Sequence, residues 1–115
     1  MNSRCTLKKN SEFRRLYAKG KTSANKYLVV YCRRSGRGVN RHGYTVSAKL
    51  GGAVVRNRVR RRLREIVRLN APLMRPGYDV VVVARSRAVG CEYRRLEAAY
   101  LTACRKLGLM KEAEA

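Results

Sequence analysis

The stretch VVRNRVRRRLRE (Val54–Glu65) carries the least ambiguous chemistry in this sequence. Six of the nine residues from Arg56 to Arg64 are arginine, and a single acid, Glu65, closes the run. Guanidinium groups fork onto phosphate oxygens and stay charged when partly desolvated, so this pattern suits phosphate binding. Gly51 and Gly52 precede it and let a backbone come close to the free N–H groups of a helix N-terminus, a further anion site. Acid–base chemistry has little to work with. His42 is the one histidine, and Glu12, Glu65 and Asp79 stand apart along the chain, so no paired acid and base for a protein ribonuclease is legible. The four cysteines (Cys5, Cys32, Cys91, Cys104) form no CxxC pair and have no histidine at metal-ligand spacing. They read as small apolar residues of a cytoplasmic protein with reduced thiols, and no metal site is expected.

The arginines need a helix to sort them. On a wheel of ~100° per residue, Val55, Val59, Leu63, Ile66 and Val67 share about one-third of the circle. Asn57, Arg61, Arg64 and Arg68 fall opposite, Arg60 at their edge, Arg58 and Arg62 on the remaining flank. The pairs Arg56/Arg60, Arg58/Arg62, Arg60/Arg64 and Arg64/Arg68 repel across one turn, each costing roughly 0.2–0.5 kcal/mol at low salt. A merely solvated face would accept Glu equally well, so the crowding points to a polyanion. An interfacial membrane helix would need bulky apolar residues exposed, and here the apolar stripe is needed for packing. A face of nearly pure arginine suits a nucleic-acid backbone better than the base edges of a DNA groove. Phe13 and Tyr17, one turn apart and flanked by Lys8, Lys9, Arg14, Arg15 and Lys19, suit either stacking on unpaired bases or a place in the core. RNA is therefore the expected partner, with no DNA and no membrane.

The chain has 115 residues, which suits one domain spanning 1–115, and its charge of +21 favours polyanions and a free monomer. Residues 1–70 carry 20 basic and 2 acidic side chains, a net +18, so the charge belongs to the first two-thirds. No apolar run approaches 18 residues and the N-terminus lacks an apolar stretch, so neither a membrane span nor a signal peptide is expected. A short helix capped by Asn10 or Ser11 ends at Gly20. Residues 21–25 add a short edge piece. KYLVVYCRR (Lys26–Arg34) and HGYTVSAK (His42–Lys49) read as strands of an antiparallel hairpin. A helix follows over Ala53–Asn70. YDVVVVAR (Tyr78–Arg85) reads as a strand buried on both faces. A second long helix spans Glu92–Leu107, with Leu96, Tyr100, Ala103 and Leu107 as its apolar stripe, and residues 108–115 form a tail. The order is α-β-β-α-β-α with one extra short strand: an α+β sandwich on one mixed sheet of about four strands.

SAKLGGAVVRNRVRRRLRE (Ser47–Glu65) resembles the signature of the protein subunit of bacterial ribonuclease P, through Ser47, Lys49, Gly51, Ala53, Val54 and Arg56-Asn57-Arg58. LKKNSEFRRLYAKG (Leu7–Gly20) resembles that family's first helix, and the valine strand resembles its buried strand closed by a basic residue; the likeness covers roughly residues 7–107. Ala48, Tyr17 and Gly52 depart from common family choices, and Ala48 in place of a basic residue is expected to trim leader affinity slightly. The resemblance implies a ribosomal protein S5 domain 2-like fold with a left-handed β-α-β crossover. It also implies a protein that assists a catalytic RNA in removing the 5′ leader of precursor tRNA. The reaction centre would lie on the RNA, with magnesium acting through it and no cofactor held by the protein alone. By motif match, Phe13, Arg14, Tyr17, Lys49 and Arg85 would line the leader cleft. Arg56, Asn57, Arg58, Arg60, Arg61, Arg64 and Arg68 would face the catalytic RNA. The rival readings are a ribosomal or other structural RNA-binding protein and a DNA-binding regulator.

Overall fold

A computed structural model describes residues 6–111. Helix α1 (Asn10–Lys19) is followed by β1 (Lys21–Ala24), β2 (Leu28–Arg34), β3 (Arg41–Thr45), α2 (Ala53–Asn70), β4 (Tyr78–Ala84) and α3 (Tyr93–Lys106). The four strands make one mixed sheet in the order β1-β2-β4-β3. Strands β1 and β2 pair antiparallel, as do β2 and β4, while β3 and β4 run parallel. The expected hairpin between residues 26–34 and 42–49 is therefore not formed: β4 lies between those two strands. The reason is burial. Val80 and Val82 of β4 belong to the main core and Val81 to the cluster on the other face, so this strand needs cover on both sides and takes the centre. The β2–β3 loop bridges the start of β4, with Ser35 N–H donating to the Gly77 carbonyl and Asn40 Oδ1 accepting from Tyr78 N–H.

Several boundaries differ from the sequence reading for local hydrogen-bonding reasons. Lys9, rather than Asn10 or Ser11, is the N-cap of α1, and its N–H reaches Glu12 Oε1 at 3.4 Å. Strand β2 starts at Leu28 because Asn25 Oδ1 accepts from the N–H groups of Tyr27 and Leu28 and makes a turn there. Strand β3 stops at Thr45. Ser47 then opens a short 3-10 turn over Ala48–Leu50, its hydroxyl accepting from Lys49 N–H. Of the expected tail, residues 108–111 pack back on the fold: Leu109 is buried and Lys111 N–H donates to the Leu73 carbonyl. Residues 112–115 lie outside the described residues.

The sheet has a helix layer on each face. Helices α2 and α3 cover Leu28, Val30, Cys32, Val80, Val82 and Ala84. The apolar stripe of α2 docks as its periodicity predicts, with Val59, Leu63, Ile66 and Val67 buried. In α3, Leu96, Tyr100 and Ala103 are buried and Leu107 is half-buried, with Ala99 and Cys104 joining them. Cys32, Cys91 and Cys104 are free thiols, and burial pushes the Cys104 thiol up to about 12; Cys5 lies outside the described residues. Helix α1 covers the opposite face, where Leu7, Leu16 and Val81 form a smaller cluster edged by Phe13, Tyr31 and Val83.

Candidate nucleic-acid interface

Strand alternation decides what α1 meets. On β3, Arg41, Gly43 and Thr45 point toward α1, while His42 and Tyr44 point toward α2. Gly43 is essential to the contact. A β-carbon there would lie 2.5 Å from Phe13 Cζ and 2.7 Å from Cε1, so the ring rests directly on the strand backbone. Tyr17 leans edge-on against Tyr31, with centroids 5.0 Å apart at 74°, and its hydroxyl shares a 2.7 Å hydrogen bond with Thr45 Oγ1. Phe13 and Tyr17 are 6.5 Å apart, and Tyr17 remains 41% exposed. Phe13 is thus a half-buried floor and Tyr17 a fixed, solvent-facing wall.

Beside these rings runs an open cleft of ≈ 600 Å³ lined by Asn10, Phe13, Arg14, Tyr17, Tyr44, Thr45 and Val46. Phe13, Arg14 and Tyr17 meet there. Lys49 and Arg85 do not line it. Lys49 is exposed on the turn after β3. Arg85 follows β4 and donates from Nη1 to the Asn25 carbonyl at 3.0 Å. Because β3 and β4 are parallel, both residues follow strand ends on the same side of the sheet as Thr45. Tyr31, Thr45 and Val46 were not among the expected site residues. For Tyr31 a signal existed: period-2 alternation sets it opposite Leu28, Val30 and Cys32.

Helix α2 begins where the cleft ends, across the short connection from Val46 to its N-cap Gly52. Gly51 has φ 148°, and a β-carbon there would press on Val55 at 3.0 Å, so the sharp entry into the helix requires glycine. The arginines divide by task. Arg62 donates to the Cys91 carbonyl at 2.8 Å and Arg68 grips Glu65 at 2.6 and 3.2 Å. Arg68 holds the Glu65 carboxyl below its usual range through that hydrogen bond. Arg60 reaches Asn57 Oδ1 at 3.3 Å, and the half-buried Arg56 has its Nε enclosed without a partner. Arg58, Arg61 and Arg64 are exposed, and none has an ion pair among the described residues.

Two of the scattered acids, Glu12 and Asp79, share one partner. Arg41 holds both oxygens of Asp79 at 2.8 and 2.9 Å and Glu12 Oε2 at 2.6 Å, tying α1 to β3 and β4. Both carboxylates are engaged by this guanidinium rather than paired with a base. His42 lies on the other face of β3, where burial pushes its imidazole down to about 4, so it is neutral near pH 7. Among the described residues no three His, Cys, Asp or Glu side chains gather as a metal site, and no helix is long and apolar enough to cross a membrane.

These features coincide with a known family. A family model described as Ribonuclease P matches residues 1–108. The ribonuclease P protein component of Alkaliphilus oremlandii is 43% identical over 107 residues, covering 93% of this chain and 94% of that one. The same component of Caldanaerobacter subterraneus subsp. tengcongensis is 45% identical over 108 residues, 94% of this chain and 93% of that one. Among solved structures, the RNase P protein of Staphylococcus aureus matches with a TM-score of 0.85 and 30% identity, covering 93% of this chain and 98% of that one. The RNase P protein of Thermotoga maritima matches with a TM-score of 0.78 and 30% identity, covering 84% and 92%. A mixed four-stranded sheet with three helices, a basic helix opened by Arg56-Asn57-Arg58 and relatives matched over nearly their full length lead to one conclusion: this chain belongs to the bacterial-type ribonuclease P protein family.

Proposed function

We propose that this chain is the protein component of a bacterial ribonuclease P, which assists a catalytic RNA in removing the 5′ leader of precursor tRNA. The unpaired leader enters the α1 cleft. Its bases stack on Tyr17 and the exposed edge of Phe13, and its phosphates meet Arg14 and, at the strand ends, Lys49 and Arg85. The α2 face, led by Arg58, Arg61 and Arg64, rests on the catalytic RNA. The reaction centre and its magnesium belong to that RNA; the protein binds, orients and neutralises charge.

One observation carries this reading. The aromatic cleft and the arginine face lie on opposite layers of the sheet, yet the single connection from Val46 to Gly52 joins them. A strand leaving the cleft at Thr45 therefore arrives beside the N-terminus of α2, where two RNAs can meet. The same connection carries Lys49. The test is reconstitution with a bacterial ribonuclease P RNA at low magnesium. The protein is expected to accelerate cleavage of precursor tRNA, and to tighten precursor binding more than mature tRNA binding. Cleavage no faster than with the RNA alone would overturn the proposal.

A further inference from the structure

Helix α1 has a second flank that the leader cleft does not use. Glu12, Arg15 and Leu16 face a separate concavity of ≈ 270 Å³, closed by the end of β2 and the loop after it. Arg33, Arg34 and Arg37 complete its basic lining. The acids in its wall are Glu12 and Asp79, and both are bound to Arg41. Five arginines against two carboxylates leave the lining at a formal +3.

The register sharpens the imbalance. Asp79 lies directly across from Arg33 on β2 and from Arg41 on β3. Both of its oxygens go to Arg41, so Arg33 loses the carboxylate opposite it. Arg34 lies over the Tyr78 ring at 6.0 Å. Arg15, Arg33 and Arg37 have no ion pair among the described residues. Like charges collected along one concave wall repel one another unless an anion enters, and the planar fork of arginine matches the paired oxygens of a phosphate. The site offers little for a base: its polar wall carries no ring comparable to Phe13 or Tyr17.

We infer that this pocket is a second phosphodiester site, separate from the α1 cleft and the α2 face, which takes an RNA backbone through Arg15, Arg33 and Arg37 without reading bases. It rests on the pocket's own charge and register, not on the assignment of the leader to the cleft.

The test uses the full chain carrying Arg33→Ala and Arg37→Ala, both exposed positions. A control carries Arg105→Ala and Lys106→Ala at the end of α3, which removes equal charge elsewhere. Binding to the catalytic RNA alone, and of the assembled complex to precursor tRNAs with short and long leaders, is measured against salt. The pocket variant is expected to lose salt sensitivity: between about 50 and 200 mM salt, its deficit relative to the wild type shrinks about threefold for each phosphate it no longer neutralises. A deficit with the catalytic RNA alone assigns the strand to that RNA; a deficit confined to long leaders assigns it to the substrate. Equal changes in the control, or none in the pocket variant, would overturn the site. Both variants should still accelerate cleavage, so a failure here is distinguishable from a failure of the proposed function.

Discussion

Replacing Gly43 with alanine tests whether the sheet sets the position of α1. The Gly43 backbone is not in the left-handed region, so its φ does not demand glycine. Left to backbone entropy, Gly43→Ala would stabilise the protein by about 0.5–1 kcal/mol. The new methyl, however, would sit 2.5 and 2.7 Å from two Phe13 ring atoms and 3.2 Å from Leu7 Cβ. Carbon contacts optimise at about 3.5–4 Å, so the ring must retreat by about 1 Å or more. Such overpacking costs about 1–3 kcal/mol, leaving a net loss of about 1–2 kcal/mol. That corresponds to a Tm drop of roughly 5–15 °C for a domain of this size, read by far-UV circular dichroism. The cause is isolated by a double-mutant cycle with Phe13→Ala. Without the ring, the alanine meets little, and the double variant should be less destabilised than the sum of the singles by about 1–2 kcal/mol. A Gly43→Ala protein as stable as the wild type, or additive with Phe13→Ala, would refute the claim that strand and ring are in hard contact.

Three further outcomes are expected. Tyr17→Phe removes the hydrogen bond to Thr45 and should cost about 0.5–1 kcal/mol of stability while sparing leader affinity. Tyr17→Ala should cost about 1–3 kcal/mol of leader binding, measured with a fluorescent precursor; equal leader affinities for the two variants would argue against stacking. His42 makes the fold acid-sensitive. Its folded value of about 4 lies below the ordinary 6.5, so the full contribution holds above pH 6.5 and is lost as pH falls toward 4, by about 2–3 kcal/mol, despite the opposing pull of Asp79. His42→Asn should flatten urea-denaturation stability over that window, and an unchanged pH dependence would contradict the burial argument. Finally, Arg58→Ala, Arg61→Ala and Arg64→Ala together should lower the log–log salt slope of catalytic-RNA binding by about 2–3, whereas Arg62→Ala, whose guanidinium serves Cys91, should lower stability more than the slope.

Local pattern carried much of this molecule. The period of α2 separated a docking stripe from an arginine face because a helix at 3.6 residues per turn leaves no freedom in which side chains share a side. The run Val80–Val83 announced a strand covered on both faces, since consecutive valines set apolar side chains on both sides of a strand. The motif Ser47–Glu65 pointed to the family for a related reason: its glycines and arginines are tied to one tight connection and the helix it opens. Strand pairing was not legible in the same way. β2 and β3 are neighbours in sequence with a turn-rich loop between them, which is how a hairpin looks, yet burial of β4 separated them. That long-range decision brought Gly43 under Phe13, set Arg41 between Asp79 and Glu12, and left Arg33 facing a carboxylate already engaged. It also drew a line through the arginines of α2 that no wheel contains, committing Arg62 and Arg68 to neighbours and leaving Arg58, Arg61 and Arg64 for a partner. Residue type and spacing determine what chemistry a face can perform; which groups remain free to perform it depends on contacts between segments far apart in the chain, and only the folded structure decides those.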